Sequence, residues 1–159
     1  MICTAVNTAT SKLVQTGLAG PDSFQGCMGE EVKSLEGQFS LRLPQCYRDF
    51  LSVMGRAAGE FLLGTDYSFP KMLGFRKDAE GLLQTSQSNF KLPPTAFVFM
   101  FHQGYTVLFF DCHDDPDDPP VFMFTEAEKE PRKIADSFSA WLLIAVEDDI
   151  AASRGRKGH

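Results

Sequence analysis

The chain has 159 residues, of which 43% are hydrophobic, so it is long enough to bury one full core and too short for two comfortable domains. Its formal net charge of −6 argues against nucleic acid as a partner, because phosphates attract clustered Lys and Arg. No apolar run approaches the ~20 residues of a membrane span, which excludes a membrane partner of that kind.

The N-terminal segment carries a helical pattern over residues 4–18 and shows neither the basic nor the hydrophobic region of a signal peptide. The sequence therefore predicts a cytoplasmic protein. We expect residues 1–25 to form a helical segment that packs on, or precedes, a main domain of residues 26–150. The basic residues after position 150 predict a disordered tail over 151–159, too short to indicate nucleic-acid binding.

Two short helices are predicted next. Val32, Leu35 and Phe39 repeat at helical spacing. Pro44 suits the first position of a second helix, because its φ is fixed and it has no N–H to leave unpaired. The apolar residues that follow form one buried face: Tyr47, Phe50, Leu51 and Met54. Gly55 then predicts a helix end in the left-handed conformation.

The middle of the chain contains the sequence patterns of a third helix and of several strands. Residues 60–64 predict a short buried strand or a turn of strand, and Pro70 predicts the start of a third helix that ends before Pro93. Residues 95–101 and 105–110 are dense in aromatic and β-branched side chains and flank a glycine turn, which indicates an antiparallel hairpin. Residues 121–124 predict a further strand.

Two features complete the predicted architecture. Period-two geometry places Phe97, Phe99 and Phe101 on one helix-covered face, with Val98 and Met100 on a less buried one. A last helix follows Asp136 or Ser137, with an apolar face of Phe138, Trp141, Leu142 and Ala145. The elements predict a single-domain α+β fold, in which an antiparallel meander packs against several helices.

Several of these segments together resemble a known family. They are a Glu-Glu-Val-x-x-Leu-Glu helix, a Leu-Pro-x-x-Tyr-x-x-Phe-Leu helix start, an apolar β segment and a Ser-Phe-x-x-Trp-Leu helix. Over roughly residues 26–146 the chain is similar to the SUKH superfamily, specifically the SMI/KNR-type domain. The resemblance implies a non-catalytic protein-binding module, and in bacteria an immunity protein that neutralises a cognate toxin such as a nuclease. A regulatory scaffold like the fungal cell-wall regulators is the alternative within this class.

No catalytic, cofactor or metal motif stands out. The segment 111–118 offers potential metal ligands but lacks the spacing of a calcium loop or a zinc site. His102 and His113 lie in predicted turns without a nucleophile motif. We expect Cys3, Cys27, Cys46 and Cys112 to be reduced thiols. The sequence thus predicts a protein that is not an enzyme, and the rival is a small enzyme or ligand carrier with a cleft between helix and sheet.

A candidate site for a basic protein partner remains. Four carboxylates lie in five positions around Pro116: Asp114, Asp115, Asp117 and Asp118. They repel one another, so they should project into solvent without stabilising the fold. Three more follow on the last helix: Glu147, Asp148 and Asp149. We expect the loop carboxylates, joined by these three, to form part of a surface for a basic protein partner, and solubility of the turn alone is the alternative explanation.

Overall fold

The aromatic segments predicted as strands form the centre of the protein, in a computed structural model that describes residues 2–157. The helices of this part are α1 (Thr4–Gln15), α2 (Gly29–Phe39), α3 (Gln45–Met54), α4 (Phe75–Thr85) and α5 (Phe138–Lys157), with a 3-10 helix at Lys71–Gly74. The strands are β1 (Phe24–Gln25), β2 (Ala57–Ala58), β3 (Thr65–Asp66), β4 (Ala96–His102), β5 (Thr106–Asp111), β6 (Val121–Thr125) and β7 (Arg132–Ala135).

The strands form an antiparallel meander of order β3-β4-β5-β6-β7, and β1 and β2 form a separate antiparallel pair. The predicted α+β fold with a meander and several helices is therefore confirmed. The strand predicted over residues 60–64 is wrong. That segment is a turn in which only Phe61 is buried, while Leu63 is 79% exposed.

A β-bulge at Phe99 changes which side chains share a face. The register with β5 shifts between Val98 and Met100, so Phe99 has no direct partner. Phe99 stacks on Phe110 at 5.3 Å, whereas Phe101 points to the other face and lies 6.0 Å from Phe75 of α4. The prediction that all three phenylalanines share one face is wrong for Phe101, because the bulge reverses the alternation beyond it.

Helices cover both faces of the sheet. On one face Tyr47 of α3 and Phe138 of α5 lie 5.1 and 6.0 Å from Phe110. On the other face α4 packs through Phe75. Val98 and Met100, expected on a less buried face, are 2% and 9% exposed. Strands β4 and β5 are thus buried on both sides, which explains why they are apolar at consecutive positions.

The turn after α3 differs from the prediction in its backbone. Gly55 has φ −65°, within the right-handed region, and not the left-handed conformation expected at a glycine helix end. Close packing is the reason for glycine here. A Cβ would lie 2.6 Å from the carbonyl oxygen of Leu51 and 2.7 Å from Sγ of Cys27. The residue is small because two segments meet at it.

The N-terminal helix is joined to the rest of the fold by a disulfide. Helix α1 packs on α5 and on α3, which brings Cys3 beside the first turn of α3. Cys3 and Cys46 form a disulfide with a Cα–Cα distance of 5.4 Å, within the usual range. The prediction of four reduced thiols is therefore wrong for this pair, since the contact arises only in the folded chain. Cys27 and Cys112 are free.

The last helix is longer than the sequence predicted. Helix α5 continues to Lys157, so residues 151–157 are helical where a disordered tail was expected, and residues 158–159 lie outside the described residues. Its inner face carries Phe138, Trp141 and Leu142, which are 0%, 6% and 0% exposed, as predicted. Within residues 2–157 no helix is long and apolar enough to cross a membrane.

Candidate partner-binding surface

The acidic loop, residues 111–118 between β5 and β6, is tied by its backbone to the start of α3. The carbonyl of Pro116 accepts a hydrogen bond from the amide of Gln45 (3.1 Å), and the carbonyl of Asp117 accepts from that of Cys46 (2.9 Å). These amides belong to the first turn of a helix and have no partner within it, and the preceding Pro44 offers no side-chain acceptor. The acidic loop therefore caps α3.

The same loop also caps α5. The carboxylate of Asp118 accepts from the amide of Ser139 (2.8 Å) and from its hydroxyl (2.5 Å). A carboxylate at the positive end of a helix is stabilising. Asp118 is partly buried, so the expectation that it projects into solvent and contributes nothing to stability is wrong. The reason is a contact between positions 21 residues apart.

Two further carboxylates order the loop internally. Asp115 accepts from the amides of Asp117 (2.8 Å) and Asp118 (3.0 Å), and Asp111 accepts from that of His113 (2.9 Å). The hydrogen bonds from Asp117 and Asp118 favour the charged form and lower the pKa of Asp115. The loop thus has a fixed backbone at both ends and in its middle.

Asp114 and Asp117 are the carboxylates of this group that the fold leaves at the surface. Both side chains are exposed, and within residues 2–157 neither forms an ion pair or accepts a hydrogen bond. The hydrogen-bonded backbone of the loop fixes the positions of these two residues while their charges face solvent. This is the arrangement that the sequence predicted for all four loop carboxylates, and it holds for two.

The predicted second half of the acidic surface lies elsewhere. Glu147 forms an ion pair with Lys12 of α1, and Asp149 accepts from the amide of Leu62 (2.7 Å). Asp148 is exposed. It lies nine positions beyond the capped Ser139, which is ~13 Å along the helix axis at 1.5 Å per residue. The structure therefore does not unite residues 147–149 with the acidic loop into one surface.

A groove borders the acidic loop at Asp114. We call it the aromatic groove; its volume is ≈ 400 Å³, and it is lined by Phe90, Pro93, Phe109, Asp111, Asp114, Phe122, Glu130 and Pro131. Phe109 and Phe122 are register partners on β5 and β6. The sequence predicted neither Phe90 nor Glu130 as site residues. The α4–β4 connection and the β6–β7 turn carry them, and no local pattern shows that these two segments meet.

A family match decides what the chain is related to. The SMI1 / KNR4 family (SUKH-1) matches residues 26–144. The chain belongs to this family. The resemblance predicted from the helix and strand motifs is thus confirmed. The match extends from the start of α2 into α5, so the SMI1 / KNR4 region contains the acidic loop and the aromatic groove, whereas α1 precedes it. No curated protein matches the chain.

Three groups that could act as nucleophiles or bases in this SMI1 / KNR4 chain, Cys27, Cys112 and His102, are shielded or hydrogen-bonded. Burial, with a smaller contribution from Asp111, raises the pKa of Cys112 to about 12, and burial raises the pKa of Cys27. Both are therefore thiols, which are weak nucleophiles, at neutral pH. Nδ1 of His102 lies 2.8 Å from Oγ1 of Thr65, its register partner across the sheet.

The structure shows no preformed metal site in the part it describes. Within residues 2–157 no group of three or more His, Cys, Asp or Glu side chains is placed to hold an ion. His113 is exposed on the acidic loop, and the neighbouring Asp111 and Asp115 carboxylates accept backbone hydrogen bonds. The loop carboxylates are thus arranged to order the backbone and to present charge.

Proposed function

We propose that this protein is a non-catalytic immunity protein that binds and neutralises a cognate toxin with a basic surface, such as a nuclease. The family to which it belongs includes toxin-immunity proteins. The acidic loop is the proposed contact surface, with Asp114 and Asp117 as its exposed charges. Charge of opposite sign on the two partners speeds their encounter and selects the correct one.

The observation that carries this proposal is that hydrogen bonds to two helices hold the acidic loop in place. Its carbonyls at positions 116 and 117 are bonded to α3, and the Asp118 carboxylate is bonded to α5. A surface that is ordered before binding loses little conformational entropy on association. Two exposed carboxylates on a rigid backbone thus offer a partner fixed charges in a protein of net charge −6.

The absence of catalysis is part of the proposal and has its own support. The free cysteines, buried Cys27 and partly buried Cys112, are thiols whose pKa is raised by burial. The hydroxyl and imidazole of Thr65 and His102 form a hydrogen bond between paired strands, where each group serves as the other's partner. We expect a broad hydrolase screen to show no turnover. Turnover that disappears in a Thr65→Val or His102→Gln variant would contradict this part.

Growth rescue tests the proposal as a whole. Each toxin-like protein encoded beside this gene is expressed alone and together with the chain. We expect one of them to arrest growth, the chain to restore it, and the two proteins to purify as a stoichiometric complex. Continued arrest in the presence of folded, soluble chain, with no complex, would contradict the proposal. A complex that leaves the toxin active would contradict neutralisation and indicate regulatory binding.

A matched pair of variants ties the rescue to the acidic loop. Asp114→Lys/Asp117→Lys reverses the two exposed loop charges. Glu126→Lys/Asp148→Lys reverses two exposed carboxylates elsewhere and changes the net charge equally. We expect the first variant to protect less well and the second to protect like the unchanged chain. Equal protection by both would remove the acidic loop from the interface.

A further inference from the structure

We infer that the aromatic groove binds an arginine side chain from a basic segment of the protein partner. This inference rests on the proposed function, in which a basic toxin contacts the acidic loop, and it names the group that would anchor that contact. The groove and the loop share Asp114. A segment lying across the loop can therefore insert a side chain into the groove.

The floor of the groove is suited to a cation with an apolar stem. The rings of Phe109 and Phe122 are 5.6 Å apart and nearly parallel, and the ring of Phe90 lies 6.0 Å from that of Phe109. Phe90 and Phe122 are only partly buried, so apolar ring surface remains open. Aromatic faces are negatively polarised and attract cations, and methylene groups pack on them.

The rim of the groove is acidic. Asp111, Asp114 and Glu130 line it, and among the residues that the structure describes no Lys or Arg lines it. Lys91, Lys129 and Lys133, which neighbour Phe90, Glu130 and, across the sheet, Phe122, are exposed outside it. Carboxylates that line an apolar floor complement a positively charged side chain.

The shape of the floor favours arginine over lysine. A guanidinium is planar and weakly hydrated, so it stacks on an aromatic ring and still donates in pairs to carboxylates at its edge. An ammonium is compact and strongly hydrated, and it loses more solvation on entering an apolar groove. Aromatic floor and carboxylate rim together match both parts of the arginine side chain.

One hydroxyl holds the two walls together before any ligand binds. Oγ of Ser88 accepts from the amide of Phe90 (3.1 Å) and donates to the carbonyl of Lys129 (2.5 Å). It thereby joins the α4–β4 connection to the β6–β7 turn that carries Glu130. A preformed groove requires little ordering when a side chain enters.

A short peptide tests the groove without a toxin. The probe is acetyl-Gly-Gly-Arg-Gly-Gly-amide, followed by amide and aromatic chemical shifts. Its matched control replaces arginine by citrulline, which has nearly the same shape and no charge. We expect saturable shifts centred on Phe90, Phe109, Phe122 and Glu130 at dissociation constants on the order of millimolar, with weaker binding of the lysine peptide and weaker still of citrulline. Shifts spread over the whole acidic surface, equal binding of citrulline, or no saturable binding would overturn the inference.

Matched variants separate the aromatic and acidic contributions. We expect Phe90→Leu and Glu130→Gln each to weaken arginine-peptide binding about two- to fivefold, as for an exposed cation–π contact or ion pair. The controls are Phe24→Leu, another partly buried phenylalanine, and Glu126→Gln, an exposed carboxylate on the same turn as Glu130 but outside the groove. We expect both controls to bind like the unchanged chain. Equal weakening by the controls would overturn the inference.

The growth assay distinguishes failure of this inference from failure of the proposed function. If the chain protects against its toxin but Phe90→Leu/Glu130→Gln leaves complex affinity unchanged, the groove is not the anchor and the function stands. If the arginine peptide binds in the groove and no toxin is neutralised, the groove binds arginine and the proposed function fails. Loss of peptide binding and of toxin affinity in the same variant supports both.

Discussion

Residues 111–118 and residues 147–149 are both rich in carboxylates, and in each group the fold bonds some of them and leaves others exposed. In the acidic loop the backbone is bonded to α3 and the Asp118 carboxylate is bonded to α5, while the side chains of Asp114 and Asp117 face solvent. On α5 the backbone is already helical, Asp149 and Glu147 bond other segments, and Asp148 is exposed. Two exposed carboxylates therefore remain on the loop and one on α5.

The comparison shows that an unpaired backbone amide nearby determines whether a carboxylate is bonded within the fold or left at the surface. An amide without a partner, such as that of Ser139 or Leu62, binds the nearest carboxylate, because a buried donor left unpaired is costly. Only carboxylates that no such amide reaches remain for recognition. Four stability experiments and a kinetic experiment sharpen or break this comparison, from the largest expected effect to the smallest.

The positions of both acidic regions depend on how α5 packs against the sheet. Trp141 is 6% exposed and lies 5.0 Å from Phe99. We expect Trp141→Ala to lower the free energy of unfolding by about 3–5 kcal/mol in urea titrations, because it leaves a cavity in the core. The control is Ile144→Ala on the same helix, where the side chain is 49% exposed. A similar loss for both variants would contradict the assigned inner face of α5.

The capping role of Asp118 is the next largest effect. Asp118→Ala removes both acceptors of Ser139, and we expect a loss of about 1–2 kcal/mol in the free energy of unfolding. Asp117→Ala changes an exposed neighbour and should stay within about 0.5 kcal/mol. If Asp117→Ala costs as much as Asp118→Ala, the two carboxylates do not differ in the way the structure indicates.

On α5 we expect Asp149→Ala to cost about 1 kcal/mol, since the amide of Leu62 loses its acceptor. Glu147→Gln should cost at most about 0.5 kcal/mol, because its ion pair with Lys12 is largely exposed. Asp148→Ala is the control and should be neutral. The same urea titrations measure all three. An order in which Asp148→Ala costs most would show that α5 does not use its carboxylates as described.

Acid titration tests the ordering of the loop. Hydrogen bonds from two amides place the pKa of folded Asp115 below its ordinary value of 3.8. The stability that it contributes is therefore present above the unfolded pKa and is lost as pH falls through the folded one. We expect Asp115→Asn to lose less stability than the unchanged chain on acidification below about pH 4.

Carbon-detected NMR of the Asp115 carboxyl provides the direct measurement. Asp136 is an internal comparison, because its pKa is lowered by Lys133 and should remain low in the Asp115→Asn variant. An Asp115 midpoint at or above the ordinary value would contradict the hydrogen bonds assigned to the loop.

Local patterns in the sequence were sufficient for much of the fold. Tyr47, Phe50 and Leu51 recur at helical spacing, and α3 forms where they predict it. The aromatic runs on either side of Gly104 form the β4–β5 hairpin. These signals lie within one element or one turn, so they do not depend on the rest of the chain.

The features that the sequence did not predict depend on distant contacts. The bulge at Phe99 shifts the register between β4 and β5, and the alternation of side chains in the sequence does not show where such a shift occurs. Strand β7 is short and begins with Arg132 and Lys133, so its pattern is that of a polar turn. The disulfide of Cys3 joins residues 43 positions apart. The candidate site also depends on a distant contact. The hydrogen bonds that Asp118 accepts from Ser139 make it a structural carboxylate, whereas its neighbour Asp117 stays exposed.

The central claim is that a basic toxin contacts the acidic loop. Its most direct test is the rate at which the chain associates, at low and high salt, with the toxin that it neutralises. We expect Asp114→Lys/Asp117→Lys to slow association about tenfold at low salt and to flatten the salt dependence, with the fold intact. The control Glu126→Lys/Asp148→Lys, with the same net charge, should change the rate less than about twofold. Equal rates and equal salt dependence in the two variants would contradict a partner contact at the acidic loop.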